Sequence, residues 1–286
     1  MEAAGKRWIV HGSRSNEFTI WNLSDLHLMS RACAEEQIAA DIEAIRSDPC
    51  AFWLGGGDYC EFIGPLDKRF DADSVAEWVS VKDLGNIGEA GIRHAAKLFQ
   101  PIKHKCLGLL TGNHEKAYEH RTEHEGMHGW LCMELGVPNL QYSAIMDVVF
   151  CRKTGVKAPY LSADPPGAGG DAVRFRVFCH HGAGFASTPG GKLNKLIQFM
   201  QSFEADIFFC GHVHDKVGRR EPSMGVDDDC KKLVARERLG VISGSYLKTY
   251  AQGVTTYGEQ RGYRPVSLGA AWVKVSPSTG KMNAEI

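Results

Sequence analysis

Five short segments of this sequence carry residue types that bind cations or move protons. They are Asp25-Leu26-His27, Gly57-Asp58, Gly112-Asn113-His114-Glu115, His180-His181-Gly182 and Gly211-His212-Val213-His214. Carboxylate and carboxamide oxygens with imidazole nitrogens make a mixed N/O donor set. Such a set suits borderline divalent metals (Mn, Fe, Zn or Ni) better than calcium or an all-thiolate zinc site. Two such ions a few ångströms apart need a carboxylate between them to offset their repulsion, and Asp58 is the candidate bridge. An Asp-x-His triplet alone is common by chance, whereas Gly-Asn-His-Glu and Gly-His-x-His are rare, and here both directly follow apolar runs. On an extended segment residues i and i+2 face the same way, so Asp25 and His27 can converge on one ion. Adjacent strand residues point oppositely, so only one of His180 and His181 faces such a site.

The elements that must position these segments are legible in the apolar spacing. Residues 18–23 read as a buried strand ending just before Asp25. Ile38, Ala39, Ile42 and Ile45 recur at helical spacing over 34–46, and Asp48-Pro49 stops that helix. Residues 51–54 read as a strand running into three glycines and Asp58, and a helix over 87–99 leads to a strand at 106–110 and the third segment. Further strands are expected at 143–150, 175–179, 207–210, 239–243 and 271–275, with a helix at 192–203. This alternation predicts an α/β chain with a mixed or parallel sheet, its chemistry gathered at strand C-termini. Residues 164–171, 182–191 and 215–229 read as loops on Gly, Pro and Asp content. Residues 1–18 are mixed and polar.

Taken together and in this order, the five segments resemble the five blocks of the calcineurin-like metallophosphoesterase superfamily. The resemblance implies a four-layer αββα sandwich of two mixed β-sheets flanked by helices. It implies one cation held by Asp25, His27, Asp58 and His214 and a second held by Asp58, Asn113, His181 and His212, with manganese favoured. The family's His-Gly pattern selects His181 over His180. His114 then binds no metal but protonates the leaving oxygen or stabilises its charge, while a metal-bridging hydroxide attacks phosphorus. Two dications, Asp25, Asp58 and one hydroxide leave a formal charge of about +1, an attractive well for a phosphate ester. Glu115 is expected to support this shell by hydrogen bonding or to open the following helix.

The sequence departs from the protein Ser/Thr phosphatases of that superfamily. Asp25-Leu26-His27-Leu28 lacks the following glycine, and Asp58 is followed by Tyr59-Cys60-Glu61 rather than a segment ending in Asp-Arg-Gly, so the arginine that grips phosphate there is missing. A phosphodiesterase acting on a nucleotide or nucleic acid is therefore expected, with a nuclease or a phosphomonoesterase as alternatives. A non-enzymatic metal-binding scaffold is disfavoured because every ligand position and His114 are filled, and a mononuclear zinc hydrolase would leave most of the donors unused.

Composition frames these expectations. The 286 residues are 43% apolar and 23% charged, which fits one globular domain over 1–286, with residues 59–100 as a cap-like insertion. A net charge of -1 advertises no global field for nucleic acid. With no apolar run long enough for a bilayer and no export segment, a cytoplasmic protein without a membrane partner is expected. Nine scattered cysteines fit a reducing compartment, Cys106, Cys179 and Cys210 being packing residues.

Four features read more plainly than they look. His120, His124 and His128 would share a helix face, which is read as solvated rather than as a metal site. Residues 182–192 lack the glycine and the hydroxyl residue of a phosphate-binding loop but could contact substrate. The aromatic and basic run Tyr246, Lys248, Tyr250, Tyr257, Arg261, Tyr263 and Arg264 would suit single-stranded nucleic acid, but is read as packing of late strands. Arg93 and His94 are read as surface helix residues.

Overall fold

A strand buried on both faces must be apolar throughout, because its consecutive side chains enter different cores. Ala51–Gly55 is such a strand: Ala51 and Trp53 pack into one cluster, Phe52 and Leu54 into another. The computed structural model describes residues 1–122, 126–167, 170–184, 188–227 and 229–286. In chain order the strands are β1 (Glu2–His11), β2 (Phe18–Leu23), β3 (Ala51–Gly55), β4 (Cys106–Leu109), β5 (Ser143–Arg152), β6 (Tyr160–Ser162), β7 (Asp171–His180), β8 (Ile207–Cys210), β9 (Val217–Val226), β10 (Leu233–Ile242), β11 (Ala271–Ser276) and β12 (Lys281–Glu285). The helices are α1 (Glu35–Ser47), α2 (Val81–Leu84), α3 (Ile87–Phe99), α4 (Asn113–Thr122), α5 (Met127–Leu135), α6 (Pro189–Ser202) and α7 (Tyr257–Gln260).

The strands form a seven-stranded sheet, β6-β1-β5-β7-β8-β10-β9, and a five-stranded sheet, β12-β11-β2-β3-β4, both mixed. Their inner faces meet in one core, where Phe18, Ile20, Phe52 and Val273 of the smaller sheet pack with Val148, Val177, Phe209 and Val241 of the larger. Residues of α1, α3 and α5 cover the outer face of the smaller sheet, and Leu196 and Met200 of α6 cover Phe178 and Phe208 on the larger. The fold is thus the expected four-layer αββα sandwich. All nine cysteines are free, Cys106, Cys179 and Cys210 among the buried ones. Among the described residues no helix is long and apolar enough to cross a membrane.

Polarity decides where the chemistry gathers. β2, β3 and β4 run parallel and end at the first three motifs, while β7, β8 and β10 run parallel in the other sheet and end at His181, His212 and the segment after Ile242. Within residues 59–100, α3 turns Ile87, Ile92, Ala95, Ala96 and Phe99 into the core.

Among the differences from the sequence reading, two concern long strands. Residues 215–229, expected as a loop, contain β9, which forms a hairpin with β10, and β10 begins at Leu233 rather than at 239. This hairpin is mostly exposed on both faces, so it has no apolar run to announce it. The polar N-terminal segment is β1, held parallel to β5 by backbone pairing, with only Ile9, Val10 and His11 buried.

Candidate metal centre

The first two motifs lie on loops that zip together beyond β2 and β3. Asp25 N–H donates to Gly57 O (2.9 Å), His27 N–H to Asp58 O (3.1 Å) and Leu28 N–H to Tyr59 O (2.9 Å). Their backbone is not the extended segment expected. Asp25, His27, Asp58, His212 and His214 have φ of 55°, 51°, 53°, 70° and 48°, the left-handed region that side-chain-bearing residues seldom adopt. Each costs about 1–3 kcal/mol and persists only where the surroundings over-determine it, a condition met most often at functional sites.

These turns bring the donors together in three overlapping groups, each with ligand atoms within 4.8 Å of one another: Asp25, His27 and His214; His27, Asp58 and His114; and Asp58, His181 and His212. Asn113 joins the last group, its Oδ1 lying 2.9 Å from His181 Nε2. Asp58 is shared between two groups. His181 is fully buried, and its Nδ1–H donates to Gly56 O (2.7 Å), which turns Nε2 toward Asn113 and toward Asp58 Oδ2 at 3.4 Å. His180 turns away: its Nδ1 accepts from Gly182 N–H and its ring packs near Phe178 and Phe199. His114 N–H donates to Asp58 Oδ1 (2.8 Å), and its Nδ1–H donates to Glu61 O (3.0 Å), leaving Nε2 without a hydrogen-bond partner among the described residues.

The donor set fits divalent cations on the structure's own terms. Asp25 Oδ2 accepts from Ser24 Oγ–H (2.5 Å) and His212 N–H (2.9 Å), whereas Asp25 Oδ1, buried without a hydrogen bond among the described residues, lies 3.2 Å from His214 Nε2. His27 Nδ1–H donates to Glu61 Oε2 (2.6 Å), so Nε2 faces His214 Nε2 at 3.2 Å. Two imidazole nitrogens and the Asp25 carboxylate oxygen converge there, an arrangement costly without positive charge between them. Without metal, protons supply it. Burial opposes charging of His27 and His181, but Glu61, Asp58 and Asp25 around the first and Asp58 and Asp25 around the second outweigh it, raising these imidazoles to about 9 and about 10. Burial works against ionised Asp58 as well, yet the neighbouring His181, His114 and His27 hold it well below the usual carboxylate range.

Glu61 was missed by motif reading; a carboxylate three residues beyond Asp58 was the available signal. Glu115 does not face the donors. Fully buried in the first turn of α4, it accepts from Asp58 N–H (3.0 Å), Tyr59 N–H (2.7 Å) and Gly112 N–H (2.9 Å), pinning the second motif to the third. Burial, with Asp58 close by, raises its carboxyl to about 7 against the pull of those donors.

The motif glycines follow from close approach. A Cβ on Gly112 would collide with the Asp58 carboxylate and amide nitrogen, and one on Gly211 with Ser24 Oγ. Gly112→Ala is therefore expected to displace Asp58, lowering stability by about 1–3 kcal/mol in chemical denaturation and reducing bound metal. An alanine variant with native stability and full metal content would contradict this crowding.

Several other features resolve. His120 lies in α4 (Asn113–Thr122) and His128 in the separate helix α5 (Met127–Leu135), buried with its Nε2 3.2 Å from Leu109 O; His124 lies outside the described residues. His94 stacks on Trp78 (3.9 Å between ring centroids) and Arg93 pairs with Glu89, both away from the donors. Of the loop 182–191, residues 185–187 lie outside the described residues, and 189–191 begin α6; Gly184 O accepts from His212 Nε2–H (3.1 Å). The late aromatic and basic run is not strand packing. Only Tyr246 is buried, while Tyr250, Tyr257, Arg261, Tyr263 and Arg264 are exposed.

Comparison with solved structures finds similarity to a predicted phosphoesterase from Streptococcus pneumoniae, at 13% identity and a TM-score of 0.30 over 91% of this chain and 84% of that one. A double mutant of Vps29 from Entamoeba histolytica is similar at 11% identity and a TM-score of 0.40, over 94% of this chain and 98% of that one. An NAD nucleotidase from Haemophilus influenzae is similar at 10% identity and a TM-score of 0.40, over 96% of this chain and 50% of that one. No family model and no curated protein matches the sequence.

Proposed function

We propose that this chain is a calcineurin-like phosphoesterase that works with two divalent cations and hydrolyses phosphodiesters. The observation that supports this best is the shared Asp58, which belongs to donor groups on both sides of it and is buried among imidazoles. Asp25, His27, Asp58 and His214 would hold one cation, and Asp58, Asn113, His181 and His212 the other, manganese being favoured. When bound, such ions supply positive charge opposite phosphoryl oxygens and acidify water.

The chain's own residues do the rest. Glu61 and Gly56 O fix the rings of His27 and His181 so that their Nε2 atoms face inward. Glu115 and the glycines lock the loops before substrate arrives, so little reorganisation is needed at the moment of reaction. With Nδ1–H engaged by Glu61 O, His114 Nε2 is the atom that passes a proton to the leaving oxygen. Its side chain keeps 14% of its exposure and that of His214 27%, which leaves the centre open to substrate from the rim.

Diesters are favoured because Asp58 is followed by Tyr59-Cys60-Glu61 rather than by a segment ending in Asp-Arg-Gly. A dianionic monoester gains more from a bidentate guanidinium than a monoanionic diester does. With manganese added, bis-p-nitrophenyl phosphate is expected to turn over faster than p-nitrophenyl phosphate, and chelation is expected to stop both. Preference for the monoester would overturn the diester assignment, and turnover insensitive to chelation would overturn the metal-dependent reading.

A further inference from the structure

The segment after β10 leaves the larger sheet on the same edge as the motifs, since β10 runs parallel to β8. Both feet of the loop that follows stand on Ser245, one bond from the centre. Ser245 Oγ–H donates to Asp25 O (3.0 Å), Tyr246 N–H donates to the same carbonyl (2.9 Å), and Gly269 N–H returns to Ser245 O (3.1 Å). Lys248 N–H ties the outgoing strand to Ala32 O (3.0 Å). Between these feet the loop is too long for a simple connection, which marks it for function.

What the loop displays is unusual for a surface. Tyr250, Tyr257 and Tyr263 are 49%, 59% and 38% exposed, and they form one patch. The rings of Tyr257 and Tyr263 meet edge-to-face, 6.1 Å apart at 79°, Tyr250 O–H donates to Tyr263 O (2.9 Å), and the Arg261 guanidinium lies 5.3 Å from the Tyr257 ring centroid. From Lys248 to Arg264 there are three basic residues, Lys248, Arg261 and Arg264, against one acidic, Glu259, in a chain whose net charge is -1. Exposed aromatic faces with interleaved cations are what single-stranded nucleic acid binds: bases stack on the rings and phosphates pair with the cations.

We infer that the Tyr250–Tyr257–Tyr263 patch with Arg261 is a stacking platform that holds the nucleobases of a single-stranded oligonucleotide while its backbone enters the centre beside Asp25. The inference rests on the phosphodiesterase reading for what happens next, but binding at the platform requires no metal. The platform therefore specifies the substrate class by bases and charge rather than by base-edge hydrogen bonds, so little sequence preference is expected.

The test is fluorescence anisotropy of a labelled oligothymidylate with the 286-residue chain in chelator, with unlabelled oligothymidylate and inorganic polyphosphate as competitors. Tyr257→Ala and Tyr250→Ala are each expected to weaken binding about tenfold, while Tyr257→Phe keeps it, and Arg261→Ala is expected to lower the slope of affinity against salt by about one phosphate contact. Polyphosphate should compete less well than the oligonucleotide. Absence of oligonucleotide binding, alanine variants with unchanged affinity, or equal competition by polyphosphate would each overturn the platform. Because these side chains are exposed, an unchanged unfolding midpoint in every variant confirms that the patch and not the fold was tested. A chain that binds through its tyrosines but hydrolyses no diester with manganese would keep this inference and sink the proposed function; the reverse pattern would do the opposite.

Discussion

Asp58→Asn is expected to abolish turnover and to strip the chain of both cations. The side chain is 1% exposed, lies on a left-handed turn, and its two oxygens face different partners: Oδ1 takes the His114 amide, and Oδ2 lies 3.4 Å from His181 Nε2. Asparagine keeps the shape and removes the charge. A unit charge about 4 Å from a partner contributes on the order of 4 kcal/mol per opposing unit charge near a protein surface, so each divalent cation is expected to lose at least roughly a thousandfold in affinity. Metal analysis after gel filtration reads the loss directly, and circular dichroism checks that the sandwich remains. A variant that kept both metals and more than a tenth of its turnover would remove Asp58 from the bridging position.

His114→Ala should separate chemistry from metal binding. If His114 Nε2 protonates the leaving oxygen, turnover falls roughly 10²–10⁴-fold for diesters with alkoxide leaving groups, while metal content stays native. The loss shrinks for p-nitrophenyl esters, whose leaving group departs as an anion without help. That dependence on the leaving group distinguishes a proton donor from a residue that merely positions substrate, which would slow both alike. Loss of metal on this substitution would instead make His114 a ligand, an outcome its grouping with His27 and Asp58 makes worth measuring.

Where buried apolar runs frame a motif, the sequence sufficed to place it. Phe18–Leu23, Ala51–Gly55 and Ile207–Cys210 are buried on both faces, so their composition announces them, and α3 lies over 87–99 as its periodicity requires. β1 and β9 were illegible for the converse reason: an exposed strand held by backbone pairing leaves no side-chain signature. The five segments named their donors, but not the backbone that aims them. An extended reading of Asp25 and His27 follows from strand geometry, whereas the structure reaches convergence through left-handed turns locked by Gly57 O and Asp58 O. The His-Gly pattern favours His181 over His180, but the physical reason lies in the fold, in which ring meets Phe199 and which meets Asn113. Glu61 contributes through contacts 34 and 53 residues apart in sequence, which no local pattern encodes. The tyrosine run reads as packing of late strands because aromatic residues usually pack; its exposure is a tertiary fact.

Metal stoichiometry tests most directly whether Asp58 would serve two cations. Purified chain saturated with manganese and freed of excess metal, analysed by inductively coupled plasma mass spectrometry alongside its diesterase activity, decides it. About two equivalents per chain, with activity appearing as the second is filled, is the predicted result. Full activity at a single tightly held equivalent would contradict it.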